Sequence, residues 1–131
     1  MFKENGFTKY IIYSPLIKEY NFHTLFPDGI CLVIYKNNHR NQCIYIRGNW
    51  MKSFKNIFYH IKGNIRILNP NKFFLKTEEI FWDKKNKKIF NEKNIIISDL
   101  NGAILYAKKG INISEDFKKF KLKDISGILP L

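Results

Sequence analysis

The sequence predicts an all-β chain, a sandwich or barrel assembled from repeated antiparallel strand units. Three observations predict it. The 131 residues hold 21 Ile, 12 Phe and 7 Tyr against 2 Ala and 1 Val. Branched and aromatic side chains fit a pleated, half-buried sheet, and a helical bundle would lack its best helix former. Turn signals fall about every eight to twelve residues, the spacing of a sandwich or barrel. The chain also matches itself when shifted by 30 residues: Ile44 falls on Phe74 and Ile104, Asn64 on Asn94 and Asp124, Ile65 on Ile95 and Ile125, and Tyr59 on Ile89. Units of this kind stack so that neighbours bury each other's apolar face.

In chain order, residues 1–21 read as an irregular N-terminal segment, with Pro15 arguing against a central strand. Residues 22–131 read as one domain. Phe26–Pro27–Asp28–Gly29 is a turn, because Pro presets φ and Gly tolerates φ > 0. Ile30–Tyr35 is an apolar run of strand length. Lys36–Asn41 is a polar loop, and Cys43–Trp50 is the returning strand. Asn56–Leu68 is the next strand, kinked or bulged at Gly63–Asn64. A turn over 69–72 precedes the strand Phe73–Trp82, which Asp83–Asn86 ends. Lys88–Phe90 and Asn94–Ser98 follow. Asp99–Gly102 carries the Asn-Gly hairpin signal. Ala103–Ala107, Gly110–Ile113, Phe117–Lys123 and Ile125–Leu129 complete the ladder.

The net charge is +12, carried by 20 Lys but only 3 Arg. Ile, Lys and Asn are A/T-coded, so compositional drift accounts for the charge as readily as an anionic partner does. No apolar run is long enough for a transmembrane helix, and the first residues lack the apolar core of a signal peptide. Cys31 and Cys43 flank the polar loop and read as free, half-buried thiols. The sequence carries no catalytic constellation. His23, His39 and His60 have no metal spacing and read as solvated or satisfied. The adjacent carboxylates Glu78 and Glu79 point to opposite faces of a regular strand, and read as a bulge or outward charge. No cofactor or metal is expected. Lysines at 84–88, 108–109 and 118–123 read as solvated loops or as contacts to phosphates. Phe54, Phe58, Tyr59, Phe81 and Trp82 interleave with charge, a pattern that suits either single-stranded nucleic acid or a core.

From Phe26 to Leu131 the chain resembles the LptC family, the periplasmic component of lipopolysaccharide export with OstA-like repeats. FPDGICLVIY is similar to the family's opening strand. GNIRILNPNKFFLKTEEIFWDKKNKKIF is similar to its repeat, with Gly before an apolar strand, a Leu-x-Thr strand and an aromatic–Asp tip. GINISEDFKKFKLKDISGIL is similar to its closing segment.

The resemblance implies a twisted open β-jellyroll with an apolar groove. It implies a lipopolysaccharide carrier that receives its cargo from inner-membrane ABC exporter subunits and passes it to a periplasmic β-jellyroll bridge protein, without chemistry. It implies a periplasmic, inner-membrane-associated location. The family's N-terminal helix or lipidated cysteine is not found in this chain, since Cys31 lies in a predicted strand. The expected groove lining is Ile65, Ile67, Leu75, Ile80, Trp82, Ile95, Ile97, Leu105, Ile113 and Phe117. The expected partner edges are Ile30, Leu32 and Ile34 toward the inner membrane, and Ile125, Gly127 and Leu129 toward the exit. Two rival readings are a basic β-domain that binds nucleic acid and a purely structural assembly module.

Overall fold

The computed structural model describes residues 2–5, 8–36, 39–68, 73–99, 101–114, 120–122 and 125–128. In chain order the strands are β1 (Phe2–Asn5), β2 (Thr8–Tyr13), β3 (Lys18–Glu19), β4 (His23–Phe26), β5 (Ile30–Lys36), β6 (His39–Gly48), β7 (Trp50–Phe54) and β8 (Phe58–Leu68). They continue as β9 (Phe74–Asp83), β10 (Lys88–Asn91), β11 (Ile95–Ser98), β12 (Ile104–Ala107), β13 (Ile111–Ser114), β14 (Phe120–Leu122) and β15 (Ile125–Ile128). Every pairing is antiparallel. Together they form one open, strongly curled sheet, a twisted β-jellyroll.

The curl divides the sheet into two halves with a core between them. The long strands β8 and β9 run through both. Residues 65–68 of β8 pair with β9, and 45–47 of β6 pair with 66–68, in the first half. Residues 58–62 of β8 pair with β7 and with 79–83 of β9 in the second. The first half therefore runs β1-β2-β5-β6-β8-β9-β11-β12-β15, and the second β3-β4-β7-β8-β9-β10-β13-β14.

This order is a repeat. Each unit lays a strand in the first half, two in the second, and one back in the first. The third unit, β9 to β11, and the fourth, β12 to β15, follow the second at the predicted spacing. The register corrects one predicted match. Ile46 pairs with Ile67, Ile67 with Leu75, Leu75 with Ile97, and Ile97 with Leu105. The equivalent residues are thus Ile46, Leu75 and Leu105, because an inward side chain must match an inward one. Ile44 points inward, whereas Phe74 neighbours inward Leu75 and points out.

The N-terminal segment is not irregular. β2 pairs with β5 over six residues, from Thr8↔Lys36 to Tyr13↔Cys31, and β1 pairs with β2. With β3, β4 and β5 it completes a first unit, so no boundary falls at residue 21. Pro15 sits in the corner between β2 and β3, where no ladder hydrogen bond is required of it. The placement of β2 also overturns Ile30, Leu32 and Ile34 as a partner edge. Their strand is enclosed by β2 and β6, and all three side chains are buried. Among the described residues the open edges are β1 and β3 at one end and β14 and β15 at the other. Ile125 and Gly127 lie on β15, which pairs with β12; Leu129 lies outside the described residues.

The predicted strand 43–50 breaks at Asn49, where the chain crosses between halves; its backbone N–H donates to the carbonyls of Lys62 and Gly63. At the matching corner of β8 the expected bulge is present. Gly63 (φ +83°) and Asn64 (φ +48°) together face the single residue Glu78. The extra residue changes which side chains of β9 point inward, from Leu75 and Thr77 to Ile80 and Trp82. Glu78 and Glu79 both turn outward as a result, rather than to opposite faces as a regular strand requires.

Candidate lipid-carrying interior

The interior between the two halves is built by simple alternation. Along β8 the residues Tyr59, Ile61, Ile65 and Ile67 are buried, and their neighbours are not. Of the ten predicted lining residues, Ile65, Ile67, Leu75, Ile80, Trp82, Ile95, Ile97 and Ile113 belong to one apolar cluster, with exposures from 0 % at Trp82 to 6 % at Ile97. Leu105 is half-buried against that cluster. Phe117 lies outside the described residues.

The same cluster takes residues that were not singled out from sequence, among them Ile12, Ile46, Met51, Ile61, Ile89 and Ile111. The signal that would have found them is the unit spacing applied with inward parity. Tyr10 is the most consequential addition. It reaches from β2 across to the second half, where its hydroxyl lies 3.0 Å from that of Tyr59. Its ring meets Trp82 edge-on at 5.3 Å, and Tyr59 stacks on Trp82 at 4.7 Å. Lys84 donates to the Tyr10 hydroxyl at 3.1 Å and covers its ring. Lys84 therefore works as a brace and not only as part of a solvated loop. Burial keeps the Tyr59 hydroxyl protonated well above the usual tyrosine range, with the bond to Tyr10 adding to the effect.

Among the described residues the buried polar side chains are Ser53, Thr77 and Asn91, and no charged one is buried. Asn91 donates to Thr77 Oγ1 (2.9 Å) and to the Glu79 carbonyl (3.1 Å), and accepts from the Ile111 N–H (3.0 Å). Thr77 in turn donates to the Asn94 carbonyl at 2.8 Å. With their hydrogen bonds already made, these few polar groups leave the interior apolar. The lining side chains pack on one another in that cluster.

The outer face of the second half separates the interleaved aromatics. Tyr59 and Trp82 are core. Phe54, Phe58 and Phe81 point out, where Phe81 stacks between His60 (4.4 Å) and Phe90 (5.4 Å). His60 is satisfied by Glu79, Nε2 donating at 2.8 Å, and that bond holds the Glu79 carboxyl below the usual range. Cys31 and Cys43 are not joined by a disulfide; they stand across strands from Arg47 and Tyr35. Among the described residues no three His, Cys, Asp or Glu side chains gather as a metal site, and no helix is long and apolar enough to cross a membrane.

Compared with known proteins, the chain matches no family model and no curated protein.

Proposed function

We propose that this protein carries lipopolysaccharide, taking it from an inner-membrane ABC exporter and passing it to the next β-jellyroll of a periplasmic bridge. The observation that carries the reading is an apolar interior with residues from all four units, in a sheet that is open at both ends among the described residues. Each methylene buried there contributes roughly 0.8 kcal/mol, so a few acyl chains would repay separation of the halves. Open edges accept a neighbour's strand, which would join one interior to the next. The exit edge is β15, with Ile125 and Gly127 on it. The edge toward the membrane is β1, in place of β5. The order of FPDGICLVIY, GNIRIL and GINISEDF along the chain gives independent support through its resemblance to the LptC family.

Photo-crosslinkers test this directly. Placed at Ile97 and Trp82, they should capture lipopolysaccharide. Placed at the outward residues Phe81 and Phe90, they should not. Capture confined to the outward pair would overturn the reading. The nucleic-acid alternative finds less support, because base stacking needs free ring faces and His60, Phe81 and Phe90 cover one another. It requires binding that weakens steeply with salt.

A further inference from the structure

The outer face of the first half carries a row of residues that only the strand register brings together. From β2 to β11 it reads Tyr13, Cys31, Arg47, Arg66, Lys76 and Ile96, each directly opposite the next. Three cations thus stand side by side on β6, β8 and β9. Neighbouring strands are about 4.8 Å apart, so the row spans about 10 Å. Like charges directly opposite on a sheet repel and destabilise it.

Among the described residues no carboxylate lies within ion-pair distance of these three. Glu78 is engaged by the Asn64 N–H at 3.1 Å, and Asp28 lines the adjoining cleft together with Arg47 and Arg66, beyond ion-pair distance of them. Arg66 donates Nη1 to the Ile65 carbonyl at 3.1 Å, which fixes its guanidinium over the strand. The chain has 20 Lys and only 3 Arg, and two of those three Arg are this pair. A guanidinium fork suits the paired oxygens of a phosphoryl group better than an ammonium does.

Both arginines also line a cleft of about 890 Å³ along the corners between the halves. That volume lies within the range of small-molecule sites. Its lining also includes Tyr13 and Ile17, which are 56 % and 45 % exposed. The cleft therefore sets two arginines and one carboxylate, Asp28, beside exposed apolar surface.

We propose that Arg47, Arg66 and Lys76 bind the phosphoryl group of an amphiphile on the outer face, with Tyr13 and Ile17 contacting the first carbons of its tail. The cation row lies on the opposite face of the sheet from the interior, while the cleft beside it also reaches the core residues Ile12 and Ile30; the proposal does not rest on the carrier reading.

Two ligand arms and four proteins test it. The ligands are inorganic phosphate, read by the thermal midpoint, and vesicles, read by flotation. The vesicles are phosphatidylcholine with or without phosphatidic acid. The proteins are the full chain, Arg47→Gln/Arg66→Gln, Tyr13→Ser/Ile17→Ser, and Lys52→Gln/Lys88→Gln, which removes equal charge from the other half's outer face. Phosphate should raise the midpoint of the full chain and of the lysine variant. It should leave that of the arginine variant unmoved, although that variant starts higher in low salt because repulsion is relieved. Phosphatidic acid vesicles should bind the full chain at least tenfold more tightly than the arginine variant. The Tyr13/Ile17 variant should keep the phosphate response and lose vesicle binding.

Equal loss in the lysine variant would show diffuse charge and overturn the site. Unchanged vesicle binding by the Tyr13/Ile17 variant would overturn the amphiphile in favour of free phosphate. A single-stranded oligonucleotide held by the same arginines more tightly than the vesicles would also overturn it.

Discussion

Asn91 ties three strands together with one side chain, joining β10 to β9 through Thr77 and the Glu79 carbonyl and to β13 through the Ile111 N–H. Replacing it by Ala leaves those groups buried without their partner, at about 1–3 kcal/mol each. Asn91→Ala should therefore lower unfolding stability in urea by several kcal/mol, and a loss under about 1 kcal/mol would mean that water replaces the amide. Gly110 lies against the same residue at φ +101°, and a Cβ there would fall 2.1 Å from the Asn91 carbonyl oxygen. Positive φ alone costs about 1–3 kcal/mol, so with the clash Gly110→Ala should cost more than about 3 kcal/mol. Glu79 gives a pH dependence. The His60 bond depresses its folded pKa, so its contribution is present above the ordinary glutamate value of about 4.3 and is lost as pH falls through the depressed one. The stability difference between the protein and Glu79→Gln should shrink over that acid range. A difference that stays constant with pH would assign the effect to packing.

At the scale of elements, β2 decides most. It covers β5, supplies Tyr10 and Ile12 to the core, and is held by the Lys84 brace. Deleting residues 1–13 should expose β5 as a new edge, lower the thermal midpoint and promote self-association measurable by light scattering. An unchanged midpoint would mean that the remaining units stand without the first. The sequence made the later units legible because their strands alternate cleanly and their turns carry Gly and Asn. The lining from Ile65 to Ile113 follows from that period alone. The first unit was hidden because Lys9 interrupts its apolar pattern and Pro15 reads as a strand breaker, whereas Pro15 occupies a corner. Once β2 was missed, β5 looked like an edge. The cation row was hidden for another reason. Arg47, Arg66 and Lys76 are far apart in sequence, and register alone sets them side by side.

For the whole molecule, the carrier proposal sets a filled interior against the space a guest would need. The halves share β8 and β9 as a spine, so separation must begin at the ends of the sheet, at β1 and β3 or at β14 and β15. Hydrogen exchange should be fastest at those end strands and slowest in β8 and β9. Uniform protection across the sheet would argue against opening from the ends. A ligand that occupies the opened interior should raise the unfolding free energy by mass action, by about 2.7 kcal/mol at a hundredfold excess over Kd, and the thermal midpoint with it.

The four units also make the protein a ruler. Each adds two strands to each half, or about 10 Å along the direction of stacking. Nothing in the pairing rule sets a maximum, because the last unit presents the same two strands to which the next would bond. A duplicated copy of one unit, spliced in at a corner, should lengthen the jellyroll by one such increment and leave the cross-section unchanged.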